Sequence, residues 1–278
     1  MHRDSIKFYP SILEAANLVI LYLFIQAIVD FPIALWDYFH GTEYLYDSVK
    51  KIILGIGSIV FIWLYSYIKA HSQWKDLFPA KKFNLLLFIP VILFLVSAQT
   101  FLGEINQKII EILPPPIWFN ELFAMAFENK FGFWGTIVKV AIIAPFVEES
   151  IFRGIIMHGF MRNYPAFIAI FVSALFFALF HLNPWQFSAA FLLGLLLGTI
   201  MVITKNIFAC MAVHSINNLF VLISIKYWSE IGQSVFYLMP KEDLYYLSYL
   251  VFVFSIVLIA IFAISGEKSG SLRNASGR

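Results

Sequence analysis

Eight stretches of this chain stay apolar for about the length of a membrane-spanning helix: about 13–36, 52–68, 83–102, 135–160, 166–181, 185–204, 207–225 and 244–264. No other feature restricts the fold as strongly. Hydrophobic residues make up 61% of the 278, and the mean hydropathy is +0.82. A soluble globular chain cannot hide that much apolar surface. The chain is therefore expected to be all-α, a polytopic membrane protein of about eight transmembrane helices. The first run carries Glu14, Gln26 and Asp30 and lacks a small-residue cleavage site, so it reads as a retained helix and not a signal peptide.

The loops set an orientation. With the N-terminus inside, eleven Lys and Arg residues face the cytoplasm and six face outward, which predicts that both termini are cytoplasmic. The formal net charge of +2 gives no reason to expect a nucleic-acid partner, and lipids are the expected surroundings. The single cysteine, Cys210, excludes an intramolecular disulfide and a Cys-rich metal site. Between 103 and 134 the chain carries Pro114-Pro115-Pro116. Ile117, Trp118, Leu122, Met125 and Phe127 follow, mixed with Glu121 and Glu128. That mixture suits a helix lying in the interface, as a cover or a gate for lateral entry. Gly194 and Gly198 in the sixth run are spaced for close helix packing. The Ser/Gly-rich tail from Gly266 reads as disordered.

Three ionisable residues interrupt the fourth apolar run: Glu148, Glu149 and Arg153. Ionisable groups at that depth are costly, and a cluster of them marks a functional site by default. Glu149 and Arg153 are one helical turn apart and can pair. Glu148 points about 100° away from Glu149, which leaves its carboxylate free for another task. The alternative is a buried charge pair that only orients helices. Lys139, further up the run, is expected to snorkel toward the interface.

Of six histidines, His2, His40 and His71 fall in tails or loops, and His158 near a helix end at headgroup level. His181 and His214 lie in separate apolar runs. Phe177 shares a helical face with His181, and Asn218 shares one with His214. Three helices could bring Glu148, His181, His214 and Asn218 into one polar pocket. Such a set suits hydrolysis: a buried carboxylate takes a proton from water, and a histidine holds the same water. A second histidine and an amide donate to the developing oxyanion. The boundaries strain this picture, because they put Glu148 at mid-membrane, His181 toward the outer end and His214 in the inner half. Cys210 is one turn from His214, but a small buried cysteine is ordinary in an apolar helix, and a nucleophilic role is not expected.

Together, Glu148-Glu149-x-x-x-Arg153, Phe177-x-x-x-His181 and His214-x-x-x-Asn218 resemble the CPBP family of CAAX proteases and bacteriocin-processing enzymes, which includes the type II CAAX prenyl endopeptidases. The resemblance covers about 135–225. It implies an intramembrane endopeptidase with its active site within the helix bundle. Residues 1–134 would supply three helices and the interfacial loop, 135–226 the catalytic core, and 227–278 the last helix and a cytoplasmic tail. By the resemblance, Glu148 is the base that activates water with His181, and His214 and Asn218 form the oxyanion site. Glu149 and Arg153 position the helix and tune Glu148. Family members are classed as metalloproteases, which would make Glu148, His181 and His214 zinc ligands. A metal-free glutamate mechanism is the other reading, and no His-Glu-x-x-His helix is present.

The resemblance further implies a bacterial or archaeal plasma membrane. The substrate would be a membrane-associated peptide or lipidated protein, with prenylated CAAX peptides, leader peptides and small membrane-embedded precursors all compatible. The contrasting expectations are a non-catalytic protein of the same fold, as in bacteriocin immunity, or a transporter with a buried charge relay. A transporter would more often show inverted repeats, and none is evident.

Overall fold

The computed structural model describes residues 8–42, 44, 48–71, 73–119, 132–238 and 240–275. The first helix, α1 (Ile12–His40), starts where the Ser11 hydroxyl caps the Glu14 amide and the Glu14 carboxylate returns to the Ser11 amide at 2.8 Å. It stops at Gly41, whose left-handed φ of 62° lets its N–H reach back to Asp37. Helix α2 (Ser48–Ala70) and the single turn α3 (Trp74–Leu77) lead through a 3-10 turn, Leu85–Leu87, into α4 (Phe88–Ile112). Among the described residues there is no β-strand, only an isolated bridge between Ala80 and Asn206.

The helical run α5 passes without a break through Gly132–Ile137, Val138–Ile143, Ala144–Glu149, Ser150–Ile156 and Met157–Asn163. Its second and fourth segments are π-helical, while the backbone at their junctions stays right-handed. Pro145 has no N–H to donate and crowds the carbonyl four residues earlier, which accounts for the wider register just upstream. In the second π segment, Gly154 packs directly on the end of α3. A Cβ there would stand 3.0 Å from the Leu77 carbonyl oxygen.

Helix α6 (Ala166–Phe180) turns at His181–Asn183 into α7 (Pro184–Thr204). Pro184 opens α7, and the Asn183 side chain caps the Trp185 amide at 3.1 Å. The close packing read from Gly194 and Gly198 is present: Cβ atoms there would come within 2.9 Å of Ala174 Cα and 3.1 Å of Ile170 Cγ2. Helices α8 (Ile207–Leu238) and α9 (Lys241–Ala275) complete the bundle. Phe252 of α9 sits between Phe94 and Phe101 of α4, each at 4.7 Å between ring centroids.

The start of α4 is tied to the α7–α8 turn. Ile207 N–H donates to Pro79 at 2.8 Å, and the Asn206 amide donates to Lys81 at 2.8 Å. At the same end His158 Nδ1 donates to the Asp76 carbonyl at 3.0 Å.

Among the described residues, five helices are long and apolar enough to cross a bilayer: Ile12–His40, Leu85–Ile112, Pro184–Thr204, Ile207–Tyr227 and Lys241–Ser265. The count of about eight is therefore met only in part. Gly55–Ala70 and Ala166–Phe180 are apolar but shorter, and α5 is broken by its π segments. Three C-terminal boundaries differ more than the rest, the largest being α8, which runs to Leu238 against an expected end at 225. Helix α4 runs ten residues beyond the expected 102, because Glu104 to Glu111 keep a helical sequence after the apolar run has ended. Helix α9 extends to Ala275, well into the tail expected to be disordered, since adding a residue to an existing helix costs far less than starting one. Of the expected interfacial segment, Leu122, Met125, Phe127, Glu121 and Glu128 lie outside the described residues.

Candidate active site

The short α segment Ala144–Glu149, held between the two π segments, presents Glu148 and Glu149 in different directions. Glu149 is fully buried and accepts from Arg153 Nη1 at 3.0 Å, the pairing read from their spacing. The same oxygen, Oε1, also accepts from His214 Nδ1 at 2.8 Å. Arg153, also fully buried, donates through Nη2 to the Gly194 carbonyl at 3.1 Å. The missing side chain of Gly194 thus lets α6 and α7 close up while its carbonyl meets the arginine.

Phe177 packs in the middle of this cluster. Arg153 stacks over its ring at 4.7 Å, and the imidazoles of His181 and His214 meet it edge-on at 5.0 and 5.6 Å. Helix α5 therefore holds α6 through Phe177, α7 through Gly194 and α8 through His214.

Glu148 turns the other way. Its side chain is 16% exposed, and its Oε2 is buried with no hydrogen-bond partner among the described residues. That oxygen lies 4.0 Å from His181 Nε2 and 3.9 Å from His214 Nε2. Both rings are oriented from behind. His181 Nδ1 donates to the Phe177 carbonyl at 2.8 Å, and His214 Nδ1 donates to Glu149. Since both partners are pure acceptors, Nδ1 carries a proton in each ring and Nε2 faces Glu148.

The structure brings His181 and Glu148 together at 4.0 Å, against the separation in depth expected from the apolar boundaries. Helix α6 is short: fifteen residues make about 22 Å, less than a hydrocarbon core of about 30 Å, and His181 caps its end.

His181, His214 and Asn218 line a cavity of about 480 Å³ between α4, α7 and α8. Glu148 stands behind the two imidazoles. Asn218 lies there as expected, but its Nδ2 donates to the Val140 carbonyl at 2.9 Å, in the first π segment. One of its two amide hydrogens is thus committed to α5, and the other is left for the cavity. Its Oδ1 accepts from Asn217 at 3.1 Å.

Several cavity residues were not singled out from the sequence: Gln99, Asn106, Asn217 and Trp185. Trp185 donates to the Leu113 carbonyl at 2.6 Å and packs against Phe119 at 4.2 Å, which seats the Pro-rich segment over the cavity end. Cys210 is fully buried away from the cavity and directs its Sγ at the Leu197 and Asn206 carbonyls. Gln26 donates to the Tyr22 hydroxyl one turn earlier at 3.2 Å.

A zinc ion would have Glu148, His181 and His214 as its ligands, and their donor chemistry is suitable: two imidazole Nε2 atoms with anchored Nδ1 hydrogens, and a carboxylate. Their spacing is not. Two ligands of a tetrahedral zinc at about 2.0–2.1 Å are about 3.3 Å apart. The 3.9 and 4.0 Å seen here would have to contract by more than half an ångström. No group of three or more His, Cys, Asp or Glu side chains among the described residues is set to hold a metal. A water at about 2.8 Å from Glu148 Oε2 and from either imidazole Nε2 fits the observed distances.

A carboxylate and two oriented imidazoles thus stand beside an open cavity in an apolar helical bundle. The family model described as Type II CAAX prenyl endopeptidase Rce1-like matches residues 130–220, about a third of the chain and the part that carries all three motifs. The resemblance read from those motifs holds over this segment, and it supports a membrane-embedded peptidase. No curated protein and no solved structure matches the chain.

Proposed function

We propose that the chain is an intramembrane endopeptidase that hydrolyses a peptide bond of a membrane-associated peptide or CAAX-type protein, using water activated by Glu148 and His181. The observation that carries this reading is the unpartnered Glu148 Oε2, equidistant within 0.1 Å from two imidazole Nε2 atoms. A bridging water has only two hydrogens to donate. It gives one to Glu148 and one to a histidine, His181 in this assignment. Glu148 takes a proton as the water oxygen attacks the substrate carbonyl. The oxyanion accepts from His214 Nε2 and the uncommitted hydrogen of Asn218. Donation from both nitrogens of His214 requires its charged form, and the Glu149 carboxylate at 2.8 Å is placed to stabilise it. The proton on Glu148 passes to the leaving amine as the carbon–nitrogen bond breaks.

The test is cleavage of a quenched farnesylated CAAX-type peptide by the purified protein before and after exhaustive chelation. Activity that survives chelation supports the metal-free mechanism. Loss with recovery on added zinc would replace it with a metal-bound one. Failure of purified, folded wild type to cleave CAAX-type, leader-type and membrane-embedded peptides would favour the non-catalytic reading.

In this proposal all eight apolar helical segments sit within the bilayer, the shorter ones included, with both termini cytoplasmic. Reporter fusions after Lys82 and at the C-terminus should both read cytoplasmic. An external signal from either would overturn that orientation.

A further inference from the structure

The cavity carries carboxamides that the catalytic scheme does not use. Gln99 and Asn106 project into it from α4. They are seven residues apart, two helical turns, and so lie on one face about 10 Å from each other. Gln99 is at the reacting end: its Nε2 points at the Asn217 Oδ1 at 3.5 Å, and Asn217 in turn holds Asn218. Asn106 is toward the other end, where Ile110, Pro115, Phe119 and Trp185 close the cavity. Its Oδ1 is buried and has no hydrogen-bond partner among the described residues.

A buried carboxamide with an unmade bond is costly unless something pairs with it. A peptide group fits it closely, because a carboxamide offers a donor and an acceptor side by side. An extended chain advances about 3.3 Å per residue, so 10 Å corresponds to about three residues. Apolar and aromatic side chains make up most of the remaining wall, among them Phe94, Leu102 and Leu193.

We infer that Gln99 and Asn106 hold the main chain of an extended, uncharged peptide segment, with Asn106 pairing a peptide group about three residues from the scissile bond. The inference rests on the peptidase reading and names how that site takes its substrate. Asn106 is then a residue that determines binding and does not touch the reacting atoms. An interaction remote from the reacting bond and equal in ground and transition states acts on KM and leaves kcat alone.

The test uses full-length protein in nanodiscs and the quenched farnesylated CAAX-type peptide, with a set of derivatives each N-methylated at one backbone position. Asn106→Leu keeps the volume and should raise KM about tenfold or more with kcat within about twofold. Asn106→Gln, which keeps the carboxamide, should stay within about threefold of wild type. One N-methylated derivative should bind wild type poorly yet lose nothing further in Asn106→Leu. An unchanged KM in Asn106→Leu, or a KM rise spread evenly over all derivatives, would overturn the inference in favour of a packing role. If wild type cleaves none of the probes, the peptidase reading has failed. The inference is then read from fluorescence anisotropy of the labelled peptide on the Glu148→Gln protein. Weaker binding on adding Asn106→Leu supports it, and equal or absent binding overturns it.

Discussion

The two carboxylates of α5 are neighbours in the chain and opposites in their surroundings. On the Glu149 side Arg153, His214, Gly194 and Phe177 are packed and largely bonded to one another at hydrogen-bond distance, with only Glu149 Oε2 and Arg153 Nε left without a partner among the described residues. On the Glu148 side the contacts stop about 1 Å short of hydrogen-bond length, and a buried oxygen is left without a partner. One side is built to stay as it is and the other to receive something. In an apolar bundle a charged group is kept in place either by neutralising partners or by the work it does, and α5 shows both cases one residue apart.

Substitutions can break this contrast, beginning with the most severe. Glu148→Gln removes the proposed base and keeps the volume. Turnover should fall by about 10²–10⁴-fold, while the melting temperature holds or rises, both measured on the same detergent-purified sample. Glu149→Gln should act through the fold. Removing one partner of a buried pair costs about 3–5 kcal/mol, so thermal melting and membrane abundance should drop. Activity should fall with them, because His214 loses its orienting carboxylate. Early melting of Glu148→Gln beside a stable but inactive Glu149→Gln would reverse the assignment.

Asn218→Ala comes third. Loss of one oxyanion donor costs about 10²–10³-fold. Some loss of stability should accompany it, because the Val140 carbonyl is stranded at the π segment. A kcat that falls with an unchanged melting temperature would show that Asn218 serves the oxyanion alone. Cys210→Ser should do least, with a small change in melting and near wild-type turnover, since a hydroxyl can serve the same carbonyls. A dead but folded Cys210→Ser protein would put the nucleophile back in question.

Much of the closed side was legible in the sequence. Glu149 and Arg153 are one turn apart, and that spacing was enough to pair them. The second partner of Glu149, His214, was not legible, because a contact 65 residues away in the chain leaves no local period. The open side was legible in its residue types but not in its depth. Apolar length located α6 at 166–181, within a residue of its observed end at Phe180, but it carried nothing about how the helices are staggered to bring His181 within 4.0 Å of Glu148.

The π segments escaped notice because the change of register spans only six or seven residues, too few to shift a hydropathy period. Gln99 was passed over as a lone amide in an apolar run. Asn106 was passed over because the run was expected to end near 102; with α4 extended to Ile112, the two fall on one face. Helix continuation through polar sequence was the signal that would have revealed them.

The shortness of α6 has a further consequence. Hydrolysis consumes water, and the middle of a bilayer offers almost none, so an enzyme working there must bring in its second reactant as well as its first. A full-length helix would wall the histidines off behind two or three more apolar turns. Ending at Phe180 instead puts a bend beside His181 that carries the exposed Leu182, the half-buried Asn183 and, just beyond, the exposed Gln186. On the proposed function, access of water then depends on where one helix stops, and adding a turn to α6 should slow turnover in a protein whose site residues are all intact.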